Sequence, residues 1–210
     1  MTSTTIAYVH GLWFVGIEGH WLRRRIAGEL AAEHRTFSYP SVTVHGAANV
    51  AALGKFLSSL RADVLHVVAH SLGGVLVANL FENPPSLPPG RIVLLGAPIN
   101  GSRAAQNLAR IPGGRTLLGH TVQDEVLPGR QRHWNNAREV GVIAGASAHG
   151  LGRLLGKLEA PNDGTISVAE TNLPGATDQI VLPVSHSGML FSALAAMQAA
   201  AFLRDGRFAA

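Results

Sequence analysis

The chain has 210 residues, 47% of them apolar and 14% charged, against a usual charged share of about 25%, which excludes a disordered segment and suits one domain burying roughly 70% of its unfolded surface. The formal charge is +4, but the arginines scatter from Arg23 to Arg207 and only Arg23-Arg24-Arg25 forms a run; that run reads as a solvated helix face, and no basic stripe points to nucleic acid. The absence of cysteine excludes disulfides, thiolate metal sites and a cysteine nucleophile. The apolar runs are shorter than the roughly 18 residues of a membrane span, and no basic and apolar leader precedes the first strand. These features predict a soluble, cytoplasmic protein.

In chain order, short β-branched runs alternate with helical patterns, the signature of a parallel sheet covered on both faces. Strands are predicted near Thr5 to Val9, Thr36 to Tyr39, Val64 to Ala69, Arg91 to Leu95, Val140 to Ala144 and Gln179 to Val184. Helices are predicted near Trp21 to Glu33, Ala47 to Leu60 and Leu72 to Phe81, with a closing helix near Met189 to Leu203. The stretch Asn83 to Gly90 is stiffened by prolines, yet the strands on its two sides belong to one sheet, so no domain boundary is placed there. The longest insertion runs from Ala97 to Glu139 and is broken by Gly101, Pro112, Gly113, Gly114, Pro128 and Gly129. Such a segment predicts short helices joined by turns and, at most, a small lid.

The most informative stretch is Ala69-His70-Ser71-Leu72-Gly73-Gly74. It follows the apolar run Val64 to Val68 and precedes the apolar helical run Val75 to Leu80, so Ser71 falls on a sharp strand-to-helix elbow that pushes its hydroxyl outward. Gly73 and Gly74 supply the space for strand and helix to pack closely. A serine hydroxyl also caps helices, but the elbow marks Ser71 as a nucleophile. Such a nucleophile needs a histidine base and a carboxylate to orient that base. Downstream stand Asp163 in Pro161-Asn162-Asp163-Gly164-Thr165 and His186 in Pro183-Val184-Ser185-His186-Ser187-Gly188. Upstream, Tyr8-Val9-His10-Gly11-Leu12-Trp13 continues the first strand into a loop.

Together these segments resemble the α/β-hydrolase fold, especially small bacterial lipases and esterases and the PGAP1-like lipase domain. The match spans nearly the whole chain in the order serine, acid, histidine that these families use. The resemblance implies a minimal hydrolase sheet of about six mostly parallel strands flanked by helices on both faces. It also implies Ser71 as nucleophile, His186 as base and Asp163 as orienting acid, with the backbone amides of Leu12 and Leu72 as the oxyanion hole. Asp178 and Asp124 are the rival acids, and the resemblance favours Asp163. His120, His133 and His149 precede the acid or lie in the insertion, against the chain order.

The expected activity is hydrolysis of a small-molecule carboxylic ester through an acyl-enzyme. A thioesterase or acyltransferase would use the same residues, and a non-catalytic binding protein on the same scaffold is the reading from outside enzymology. Trp13 and Phe14 are candidates for an acyl pocket, or else a buried aromatic pair. No cofactor or metal is expected: there is no His-Glu-x-x-His run, His66 and His70 fall on a strand, and no phosphate-binding glycine loop follows the first strand. The broken 97–139 segment lacks the continuous amphipathic helix of a lipid-opened lid, so soluble short-to-medium acyl esters are the expected substrates.

Overall fold

The computed structural model describes residues 2–135, 138–148 and 158–210. Six strands form one sheet in the order β2-β1-β3-β4-β5-β6, every neighbouring pair parallel. They are β1 (Thr4–Val9), β2 (Glu33–Phe37), β3 (Val64–His70), β4 (Ile92–Leu95), β5 (Val140–Gly145) and β6 (Asp178–Leu182). The central strands are buried on both faces, which explains their unbroken apolar sequences. Alternation along each strand divides the core. Ala7, Val9, Val67, Ala69 and Leu94 pack with Leu53, Leu57, Leu76 and Val77 of α2 (Gly46–Ser59) and α3 (Leu72–Leu80). Ile6, Tyr8, Val68, Val93 and Leu95 point the other way, onto Leu22 and Ile26 of α1 (His20–Glu29) and Ala195, Ala199 and Phe202 of α7 (Ala193–Asp205).

Three sequence expectations are corrected. The first helix stops at Glu29, and residues 33–36, assigned in part to it, open β2. This is an edge strand with a mixed exposed and half-buried pattern, so it carries no apolar run to announce it. Ala31, at φ 48°, turns the chain between the two. The closing helix is two elements, a 3₁₀ turn Gly188–Phe191 and α7, because the Ser192 hydroxyl accepts a hydrogen bond from the Ala195 amide at 3.2 Å and starts a new helix. The arginine run is not wholly solvated: Arg24 and Arg25 are exposed, but Arg23 is buried.

The insertion after β4 forms α4 (Arg103–Ala109) and α5 (Gly114–Glu125), the latter kinked at Gly119, whose φ of 75° and ψ of 177° leave the helical region. Leu118, Val122 and Val126 pack with Leu72 and Val75 of α3 in a third apolar cluster. Arg132, also buried, donates to the carbonyls of Ile99 at 2.7 Å and Glu125 at 2.8 Å and to Asn79 Oδ1 at 2.7 Å. This insertion is thus fastened to α3 by apolar and polar contacts. Residues 136 and 137 of the segment lie outside the described residues.

The sheet order reverses between β1 and β3, since the chain goes from β1 to β2 on one side and then returns past β1 to β3 on the other. A crevice at the carboxyl ends of strands forms at such a point. The loop after β1 and the elbow after β3 both open there.

Candidate active site

Ser71 joins β3 to α3 with φ 53° and ψ −123°, a conformation that costs a non-glycine residue on the order of 1–3 kcal/mol and persists only where the surroundings enforce it. Close packing enforces it here. A Cβ on Gly73 would fall 2.5 Å from the His10 carbonyl oxygen, and one on Gly74 would fall 2.5 Å from Ala97 Cβ. Both glycines predicted to allow this approach do so.

The Ser71 hydroxyl lies 2.9 Å from His186 Nε2, and His186 Nδ1 lies 2.7 Å from Asp163 Oδ2. A carboxylate only accepts, so Nδ1 carries the proton and donates to Asp163, leaving the Nε2 lone pair to accept from the serine hydroxyl. Asp163 is fully buried. Its second oxygen, Oδ1, accepts from the amides of Thr165 at 2.9 Å and Ile166 at 2.7 Å, so the carboxylate is held in place independently of the histidine. The turn that begins at Asp163-Gly164 is what aims those amides at the carboxylate.

The rival acids are elsewhere. Asp178 begins β6 and accepts from the Phe208 amide, while Asp124 accepts from Gly46 N and pairs with His45. His120 stacks on His45, His133 pairs with Asn135, and His149 lies outside the described residues.

The loop after β1 is braced from beneath. His10 is buried; its Nε2 accepts from the Tyr39 amide at 3.1 Å, so Nδ1 bears the proton and donates to the Gly11 carbonyl at 2.7 Å. Burial lowers the His10 pKa below its usual value and keeps this neutral tautomer. Tyr39 stacks on the ring and donates its hydroxyl to the His10 carbonyl. Farther along, Glu18 accepts from Gly16 N and the Tyr8 hydroxyl, and Arg23 donates to the Gly16 carbonyl. Among the described residues, the amides of Leu12 and Leu72 donate to no protein acceptor. Leu72 is the first residue of α3, where helix geometry leaves amides free and the dipole favours an anion.

Trp13 and Phe14 are not a buried pair: they are 49% and 36% exposed. Trp13 is pinned by its amide to Ser41 Oγ and by its indole N–H to the Leu117 carbonyl. The Phe14 ring lies 6.5 Å from that of His70, which brings it beside the elbow.

Sequence reasoning missed the residues that make room for the histidine and acid. A Cβ on Gly96, which sits at φ 54° just after β4, would fall 3.1 Å from His186 Nδ1 and 3.2 Å from Asp163 Oδ2; one on Gly145, ending β5, would fall 2.7 Å from Asp163 Cβ. The available signal was a glycine at the carboxyl end of each of two successive strands. A separate cavity of about 550 Å³, lined by Ser102, Arg103, Gln106, Ser167 and Glu170 among others, contains neither Ser71 nor His186. Its Ser167 and Glu170 are engaged in the capping box of α6 (Val168–Thr171).

The sheet order, the elbow and the placement of serine, acid and histidine define the α/β-hydrolase fold, and solved structures agree with it. Phospholipase PlaB from Legionella pneumophila superposes with a TM-score of 0.61 at 20% identity over 81% of this chain, and a metagenomic carboxyl esterase with 0.61 at 18% over 88%. The chain spans 44% and 64% of those two proteins. The type II thioesterase BorB from the borrelidin biosynthetic cluster superposes with 0.62 at 13% identity, over 97% of this chain and 92% of its own. No protein-family model and no curated protein matches the chain.

Proposed function

We propose that the chain is a serine hydrolase that cleaves carboxylic esters through an acyl-enzyme. The observation that carries this reading is the unbroken relay from the Ser71 hydroxyl through His186 to buried Asp163, with bonds of 2.9 and 2.7 Å, on a serine held at a strained elbow. Ser71 Oγ attacks the ester carbonyl carbon while its proton passes to His186 Nε2, and Asp163 stabilises the resulting imidazolium. Negative charge on the carbonyl oxygen is met by the amides of Leu12 and Leu72. Collapse breaks the carbon–oxygen bond to the alcohol, and His186 returns the proton to that leaving oxygen. A water then attacks the acyl-serine with His186 again as base, which releases the acid and restores Ser71. Phe14, beside the elbow, and the exposed Trp13 are assigned to the acyl side of the cleft.

A thioester substrate is the second reading, since the same acyl-enzyme serves a thiol leaving group. The near-full-length likeness to the thioesterase BorB favours keeping it. Both readings are tested by turnover of matched chromogenic esters and thioesters by the wild-type protein and Ser71→Ala. Loss of about 10³-fold or more in the folded variant is expected; near-wild-type turnover would end the proposal, and the ester-to-thioester ratio decides the leaving group. Among the described residues no helix is long and apolar enough to cross a membrane.

A further inference from the structure

Three loops meet at one side chain the relay does not use. His70 ends β3, immediately before Ser71, and is wholly buried. Its Nε2 lies 3.1 Å from the main-chain oxygen of His186. A carbonyl only accepts, so the ring is the Nε2–H tautomer and donates to the backbone of the residue whose imidazole serves Ser71. The two rings also touch, with centroids 4.8 Å apart. On its other side, a Cβ placed on Gly11 would fall 3.1 Å from His70 Nδ1, so the ring lies against the loop that carries Leu12.

An aromatic hydrocarbon would fill this space as well and at less cost, because His70 Nδ1 is buried with no hydrogen-bond partner among the described residues. The imidazole therefore calls for a reason other than packing. The bond to His186 supplies it. The His186 peptide is held on both sides of its Cα: its N–H donates to the Asp163 carbonyl at 2.9 Å, and its C=O accepts from His70. Backbone freedom at the base is thereby removed, and Asp163 has only the side-chain torsions left to set. Burial pushes the His70 pKa down to about 3, with the neighbouring His186 adding to the effect, so the ring stays neutral through the neutral range and the carbonyl of His186 sets its tautomer.

We propose that His70 is a positioning residue: its Nε2–H grips the main chain of His186 and keeps that imidazole aligned on Ser71 Oγ. This rests on the hydrolase reading above. Glutamine can place an N–H near the histidine Nε2 position, whereas the shorter asparagine places one near Nδ1, and phenylalanine keeps the ring without a donor. His70→Phe and His70→Asn are expected to lower kcat on a chromogenic ester by about 10- to 100-fold, the size of effect a displacement of about 1 Å produces. KM should stay within about threefold, and Ser71 labelling by a fluorophosphonate should slow in proportion. His70→Gln should recover kcat to within about fivefold of wild type. Equal losses in the Gln and Asn variants, or an unchanged kcat in folded His70→Phe, would overturn the proposal.

Nitrogen-15 NMR of the wild-type imidazoles tests it without any substitution. A neutral Nε2–H tautomer at residue 70 is expected near pH 7, and an Nδ1–H tautomer would overturn it. A wild-type protein that is inert and unlabelled would refute the hydrolase reading instead, while the tautomer measurement would still decide the His70 contact.

Discussion

Ser71 combines a half-buried hydroxyl bonded to His186 with a backbone conformation that glycine adopts freely and other residues do not. Ser71→Gly is therefore expected to be as inactive as Ser71→Ala but more stable than it by about 1 kcal/mol, because glycine relieves the strain at φ 53°. Denaturant midpoints of the two variants check this; a less stable glycine variant would mean that the elbow is not strained. His186→Ala should cost about as much activity as Ser71→Ala, and the double variant hardly more, since nucleophile and base act as a unit. Additive losses would separate the two residues. Asp163→Asn should also be damaging through the wrong imidazole tautomer, whereas Asp178→Asn and Asp124→Asn should leave kcat unchanged. That Ser71, Asp163 and His186 come together was legible in part: Ser71 and His186 sit in short local patterns, an elbow and a loop after a strand, whereas Asp163 was singled out from Asp178 and Asp124 only by the family resemblance. His70, Gly96 and Gly145 were not legible, because what they contribute is contact with residues far away in sequence.

At the scale of elements, strands buried on both faces were readable from their apolar runs, and the errors fell where burial is partial. Edge strand β2 carries Glu33 and Arg35 on its exposed positions and so resembles the end of a polar helix. Arg23 looks like any surface arginine until Gly16, Tyr8 and Glu18 fold around it. The insertion after β4 was expected to be broken, and the kink at Gly119 in α5 agrees. Its contacts with α3 could not be foreseen, since they join Leu118 and Val122 to Val75 across the fold. A segment so fastened, with no long amphipathic helix among its described residues, offers an oil surface little to stabilise. The rate on tributyrin is accordingly expected to follow substrate concentration smoothly through its solubility limit. A jump in rate on droplet formation would show that the segment opens.

For the whole molecule, buried neutral histidines set the response to acid. Burial pushes His66 down to about 4, aided by the Arg91 cation, and His70 down to about 3, while both titrate near 6.5 in an unfolded chain. Between those values the unfolded state binds more protons than the folded one, so stability is complete above about pH 6.5 and is lost as the pH falls toward 4 and then 3. The melting temperature should drop by roughly 5–10 °C between pH 7.5 and 5. His66→Asn, whose amide oxygen can still accept from the Arg91 N–H that His66 Nδ1 receives, should reduce that slope. A melting temperature independent of pH in this range would contradict the buried neutral state of these groups.

The central claim, that this fold arms one serine, is tested most directly by fluorophosphonate labelling of the folded wild-type protein, followed by mass spectrometry of the intact chain and its peptides. The expected result is stoichiometric modification at Ser71, lost in Ser71→Ala and strongly slowed in His186→Ala. A folded protein that stays unmodified, or one labelled equally well at another serine, would contradict it.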